Sequence, residues 1–278
     1  LAKAGLNPIV LERGASVEER TKDVDMFWTT RKLNTQSNVQ FGEGGAGTFS
    51  DGKLTTRISS PHCEEVLDIF TQFGAPEEIL SDAMPHIGTD ILRIVVKNMR
   101  NEIIRLGGRV MFNTTLTGID TEDRKISGVA LEKDGVKTKE KCDALILAIG
   151  HSARDTVRMV YTKGVKMIQK PFSVGARIEH PRELIDKSQY GEFAGHKALG
   201  AADYKLACHG EHERGAYTFC MCPGGVVIPS ASAAQELLVN GMSPSHRGGA
   251  WSNSGMVVQI NPEDVLLPEM QIDCDGID

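Results

Sequence analysis

Two stretches of the chain repeat apolar residues at helical spacing, and each runs into glycine. In "SPHCEEVLDIFTQFGAP", Val66, Leu67, Ile69, Phe70 and Phe73 fall on one face, with Pro61 near the start and Gly74 at the end. In "GTDILRIVVKNMRNEIIRLGG" the apolar positions are Ile91, Leu92, Val95, Val96, Met99, Ile103 and Ile104, and Gly107-Gly108 stops the pattern. This is the stronger helix. "RVMFNTTLTGIDTED" reads as a strand. In "KISGVALEKDGVKTKEKCDALILAIG" two alternating strands flank Asp134-Gly135, and "DALILAI" follows as a continuous apolar run, the pattern of a strand buried on both faces.

Elsewhere the pattern is weaker. Leu1 to Ala4 read as the last turn of a helix stopped by Gly5, and Ile9 to Leu11 as a short buried strand closed by Glu12. Residues 16–40 are polar, carry a "DMFWTT" cluster and show no clear period. After residue 165 the character changes, and no strong amphipathic helix is visible. "KPFSVGARIEHP" alternates, "RGAYTFCMCPGGVVIPSAS" reads as strand, turn, strand, and "GMVVQI" as another strand. The expectation is an α/β part over 1–165 and a β-rich part over 166–278.

The 278 residues are 40% hydrophobic, enough for one large or two modest domains. A net charge of -6 argues against non-specific nucleic-acid binding. No apolar run reaches membrane-spanning length, and no signal peptide is visible. Six cysteines scattered over a long chain suggest a reducing, cytoplasmic setting.

"QFGEGGAGTFSDGKL" (40–54) holds five glycines between Gly42 and Gly52. Such density signals sharp turns or close approach of the backbone to something. Glu12, at a strand end, is of the type that accepts ribose hydroxyls in a dinucleotide-binding βαβ unit. A solvated loop acid is the plain alternative. "ALILAIGHSAR" (144–154) runs an apolar strand into Gly150 and His151, which suits a backbone facing a cofactor and equally an ordinary strand-to-turn junction.

The order of these pieces resembles the FAD-binding domain of the glutathione-reductase-like, two-dinucleotide-binding-domain flavoproteins. Within that superfamily, "VQFGEGGAGTFSDGKLTTRI", "PFSVGARIEHP", "AADYKL", "TFCMCPGGVVIPSAS" and "NGMS" resemble the uncharacterised FAD-dependent oxidoreductases labelled NAD(FAD)-utilising dehydrogenases, over nearly the whole chain. The resemblance implies a Rossmann-like FAD-binding domain over 1–165, lacking its first strand and Gly-rich fingerprint, with a β-rich substrate domain inserted at 166–278. Further FAD-binding segments are expected outside these residues, so the 278 residues alone are expected to be colourless and inactive. It implies FAD as cofactor and a small-molecule substrate of unknown identity. NAD(P)H is a candidate electron donor, although no second Gly-rich fingerprint is visible.

The implied cofactor contacts are Glu12, Arg13, Gly42, Gly44, Gly45, Gly47, Thr48, Ala148, Gly150 and His151, with the backbone of Leu116 facing adenine. Lys53 would place a positive charge near the flavin ring and stabilise its reduced form. Cys220 and Cys222 flank Met221, so alternation puts both on one side of a strand. Cys222 is then either a redox or acid–base group over the flavin or a small buried hydrophobe. Arg177 and Glu179 share a face and suggest a substrate-facing cluster with His180, or a surface ion pair. Cys208, His209, His212, Cys220 and Cys222 are all zinc-ligand types, but C-x-C is tighter than the usual knuckle, and no resident metal is expected. A non-catalytic flavin-binding redox sensor or interaction protein on a flavoenzyme fold is the competing function.

Overall fold

The computed structural model describes residues 1–56, 58–209 and 214–265. In chain order they form β1 (Ile9–Leu11), α1 (Val17–Thr30), α2 (His62–Gln72), α3 (Thr89–Arg105), β2 (Arg109–Met111), β3 (Thr115–Glu122), β4 (Lys125–Lys133) and β5 (Val136–Lys141). Then come α4 (Arg154–Thr162), β6 (Phe172–Pro181), α5 (Arg182–Tyr190), β7 (Ala207–His209), β8 (Gly215–Cys222), β9 (Val226–Pro229), β10 (Val239–Met242), β11 (Trp251–Ile260) and the single turn α6 (Pro262–Val265). The architecture is mixed α/β with several small sheets.

The two helices with the clearest apolar period pack on each other. Leu92 and Val95 of α3 join Ala75, Ile79 and Ile87 in one buried cluster, and Leu67, Phe70 and Phe73 from α2 and its end cover it. Burying each large side chain of this kind contributes roughly 1.5–3 kcal/mol. The meander also forms: β3, β4 and β5 are antiparallel neighbours, and Asp134 and Gly135 turn the chain with positive φ, as a two-residue hairpin needs.

Three expectations are corrected. The stretch 16–40 contains α1, whose inward positions are Val17, Arg20 and Val24. An arginine in the middle of the buried stripe hides the helical period. The run 143–149 is not a strand, and Ile146 is 74% exposed. An apolar strand needs a sheet on its flanks, and among the described residues the parallel pairing is limited to β1 with β2. A Rossmann-like parallel sheet is therefore not formed by these residues. Finally, the β-rich part does contain a helix, α5. It buries only Asp186, so it has no apolar stripe, and it is braced by the ion pairs Arg182–Asp186 and Glu183–Lys187.

The β-rich part is built on an antiparallel sheet of order β6-β11-β8-β7, with β9 and β10 paired beside it. A second buried cluster welds it to the N-terminal part: Val24 from α1, Val39 and Phe49 from the glycine-loop region, and Ile228 from β9, covered by Trp28 and Met242. Trp28 meets Phe49 edge-on at 6.2 Å and donates to the Pro229 carbonyl at 3.1 Å. The glycine loop is thus held between the two halves.

Candidate functional site

Arg20 organises the glycine loop from beneath. Its side chain is fully buried, and its guanidinium donates to the carbonyls of Asn38 (2.8 Å), Val39 (2.9 Å), Gly42 (3.1 Å) and Glu43 (2.6 Å). It also stacks on Phe49, 4.8 Å from the ring centre. Burial lowers its pKa to about 10, so it stays cationic at neutral pH, with Glu12 and Glu43 favouring the charge. Glu43 accepts the Val17 amide (2.7 Å) and Arg100 (2.9 Å); burial is the main reason its carboxyl titrates above the ordinary value.

The loop glycines divide into two kinds. A Cβ on Gly42 would lie 2.2 Å from Arg20 Cδ, one on Gly44 2.1 Å from Thr48 Oγ1, and one on Gly52 2.6 Å from the Gly88 nitrogen. These three glycines are required by packing within the protein. Gly45 and Gly47 differ. A Cβ on Gly45 would meet nothing within 4 Å, although its φ of +63° disfavours other residues. Gly47 has an ordinary φ and only Leu92 Cδ2 at 4.0 Å. The fold itself tolerates a side chain there, so a requirement for glycine at 47 would come from something outside the protein. Thr48 is buried and its hydroxyl donates to the Glu43 carbonyl at 3.3 Å, which directs it inward.

Glu12 sits where β1 meets this loop. Its Oε1 accepts the amides of Gly14 (2.8 Å) and Gly42 (3.0 Å). Those two bonds fix the carboxylate, and among the described residues Oε2 accepts no hydrogen bond, leaving it for a hydroxyl donor. The neighbouring Arg13 lies over Phe41, 4.6 Å from the ring centre, and pairs with Asp155 at 2.7 Å at the start of α4. Gln40 and Ser152 approach at 3.5 Å. The segment with Ala148, Gly150 and His151 thus lies next to the Glu12 region, and all three residues are exposed. Thr114 donates to the Glu12 carbonyl at 3.0 Å, two residues before Leu116, which pairs with Leu131 across β3 and β4.

Lys53 and Cys222 converge on a second polar centre at the other end of the loop. Asp51 is fully buried between Lys53 (2.9 Å) and Arg247. Burial pushes its carboxyl upward, but the two cations outweigh that and hold it below the ordinary value. Lys53 Nζ also donates to the Met221 carbonyl, so its charge is committed to the protein, while its backbone pairs with that of His86.

Cys220 and Cys222 do not follow simple alternation. Two residues of β8, Cys220 and Met221, stand opposite Ser254 alone between the pairs Asn253–Cys222 and Gly255–Phe219, and Cys220 has φ of +49°. This β-bulge re-aims Cys220. Cys222 is wholly buried and donates to the Cys220 carbonyl at 3.4 Å. Arg177 joins them: it donates to the Cys220 carbonyl at 3.0 Å, to Asn240 at 3.3 Å and to Asn253, and lies 4.0 Å from Cys222 Sγ. The neighbouring Cys222, opposed by burial and assisted by Lys53 and Arg177, holds the Cys220 thiol below its ordinary value. The neighbouring Cys220 and burial push Cys222 far up.

Arg177 therefore serves this centre rather than pairing with Glu179, and His180 bonds Tyr204 at 2.8 Å instead. Asp51, Arg247 and Arg20 were not singled out by sequence reasoning. Asp51 stands beside Gly52 in the glycine loop, the one local signal available. His212 and the His209 side chain, part of the zinc reading, lie outside the described residues. Among the described residues no group of three metal-ligand side chains forms, and no helix is long and apolar enough to cross a membrane.

Residues 171–274 match the family described as FAD-dependent protein, C-terminal domain-like. An uncharacterised protein of Clostridium beijerinckii is 51% identical over 265 residues, 95% of this chain and 49% of that protein. The chain thus spans about half the length of this relative. Among solved structures, an aklavinone-11 hydroxylase in complex with FAD and aklavinone aligns with 97% of this chain and 44% of its own, at 13% identity and a TM-score of 0.39. BexE, from a study of oxidation during BE-7585A biosynthesis, aligns with 92% and 39%, at 13% identity and a TM-score of 0.30. At these scores neither likeness fixes the fold.

Proposed function

We propose that this chain is part of an FAD-dependent oxidoreductase, with Glu12 and the glycine loop holding the dinucleotide and the β-rich half facing a small-molecule substrate. The match of residues 171–274 to an FAD-dependent family supports the reading. The observation that carries it is the pairing of a fixed carboxylate with an open backbone: Glu12 is oriented by two amides with one oxygen left over, beside a loop whose Gly47 has no packing reason to lack a side chain.

In this reading Glu12 Oε2 accepts ribose hydroxyls, the main chain at Gly45 and Gly47 lies along the cofactor, and the Leu116 backbone faces adenine. Ala148, Gly150 and His151 border the same cradle. The flavin, when bound, supplies the hydride-accepting group. The protein's own contribution is to bind it, orient it and keep water from one face. Lys53 neutralises Asp51, so its part is to position the Met221 carbonyl and the adjoining cysteine strand rather than to charge the ring. NADH or NADPH as donor is decided by anaerobic bleaching of the flavin band with each.

Gly47→Ala tests the loop. The fold has room for the new methyl group, so the melting temperature should stay within about 2 °C of wild type. The ratio of flavin-band to protein-band absorbance, measured on protein expressed over its whole reading frame, should fall severalfold. A wild-type ratio would mean that the loop faces solvent only.

A further inference from the structure

The cysteine centre goes beyond the flavin reading. We propose that Cys220 and Cys222 form a redox-active dithiol, with Cys220 attacking a disulfide substrate and Cys222 closing the internal disulfide. The geometry is local and independent of any cofactor.

An extended strand places residues i and i+2 about 6.6 Å apart at Cα, near the outer limit of disulfide span. The bulge with positive φ at Cys220 departs from that arrangement. A non-glycine residue in this backbone region is held there by its surroundings, and such strain clusters at functional sites. The surroundings here are polar: the Arg177 fork on the Cys220 carbonyl and beside Cys222 Sγ, Lys53 on the Met221 carbonyl between the two cysteines, and Asn240 and Asn253 around Arg177. Structural cysteines buried in apolar surroundings lack this arrangement.

The two thiols are also asymmetric as the chemistry requires. Cys220 is partly accessible and Cys222 fully buried. Cys222 beside it, then Lys53 and Arg177, favour a thiolate at Cys220, whereas the Cys222 S–H is held on the Cys220 carbonyl, and the neighbouring Cys220, burial and Asp51 disfavour ionisation of Cys222. Burial first, and then the Arg247 and Lys53 charges, hold the His86 imidazole below its ordinary value.

The electrons balance within the named reactants. Cys220 thiolate attacks one sulfur of R–S–S–R, an S–S bond to R forms, and RS⁻ leaves. With the Cys220 charge gone, Cys222 loses its proton to the departing thiolate and attacks Cys220 Sγ. The Cys220–Cys222 bond forms and the second RS⁻ leaves. The dithiol is oxidised by two electrons and the substrate disulfide is reduced to two thiols.

Oxidised glutathione is a sufficient probe and requires no flavin, so this test stands or falls apart from the cofactor reading. After incubation, free thiols are alkylated and the peptides mapped by mass. Wild type should show the 220–222 peptide lighter by two hydrogens and unalkylated. Cys222→Ser should instead stop with one glutathionyl group on Cys220, and Cys220→Ser should leave Cys222 free. On untreated wild type, the rate of Cys220 alkylation should rise with a midpoint below the ordinary thiol value, and Lys53→Met should move that midpoint up. Adducts confined to the other four cysteines with both strand thiols intact would overturn the proposal. So would a Cys220 midpoint at an ordinary thiol value.

Discussion

Arg20→Leu is expected to destabilise the protein by about 3–5 kcal/mol, the range seen when a buried, hydrogen-bonded charge is removed. Four loop carbonyls, from Asn38, Val39, Gly42 and Glu43, lose their donor at once. Each unsatisfied buried acceptor costs about 1–3 kcal/mol, less where water enters. The stacked contact with Phe49 also changes, in the cluster that joins the two halves. With typical stabilities of about 5–15 kcal/mol, this is a large fraction of the total. The melting temperature should fall by roughly 6–20 °C. Arg20→Lys keeps the charge but loses the planar fork and should fall between the two. A leucine variant that melts within about 2 °C of wild type would show that the loop is not held from beneath by this side chain.

Asp51→Ala should cost a similar amount, again about 3–5 kcal/mol, because it strands Lys53 and Arg247 at the junction of the glycine loop and the β-rich half. This effect depends on pH. The folded carboxyl titrates below its unfolded value, so its stabilisation is complete above about pH 4 and is lost as pH falls through the folded pKa. Urea midpoints of wild type and Asp51→Ala should therefore be well separated at neutral pH and converge as the pH falls below the ordinary carboxylate range. Equal separation at both would remove Asp51 from the acid limb and contradict the buried-pair account.

What could be read along the chain was what neighbours in sequence decide. The α2 and α3 faces met in one core as their spacing required, and Asp134-Gly135 turned a hairpin because two residues suffice to specify it. Helix α1 was hidden because its central inward residue is Arg20, whose burial is made tolerable by carbonyls from residues 38 to 43. The run at 143–149 misled for the opposite reason: apolar character records a tendency to be buried, while strand formation needs a partner edge. Of the candidate residues, Glu12 and Gly42 meet, and Lys53 reaches the Met221 carbonyl in the strand that carries Cys222. The partners that define each role were not legible. Asp51 and Arg247 lie 196 residues apart, and Cys220 leaves simple alternation through a bulge that no local pattern announces.

The flavin reading is tested most directly by Glu12→Gln. Glutamine keeps an Oε1 that can accept the Gly14 and Gly42 amides, so the loop stays in place, but it replaces the free carboxylate oxygen with a donor. The measurement is the FAD dissociation constant of wild type and Glu12→Gln, each expressed over its whole reading frame, beside their apo melting temperatures. Loss of a charge-assisted hydrogen bond, about 1.5–3 kcal/mol, corresponds to a constant weaker by roughly ten- to 150-fold. The account predicts that weakening with an unchanged apo melt. An FAD constant unaltered by the substitution would contradict it.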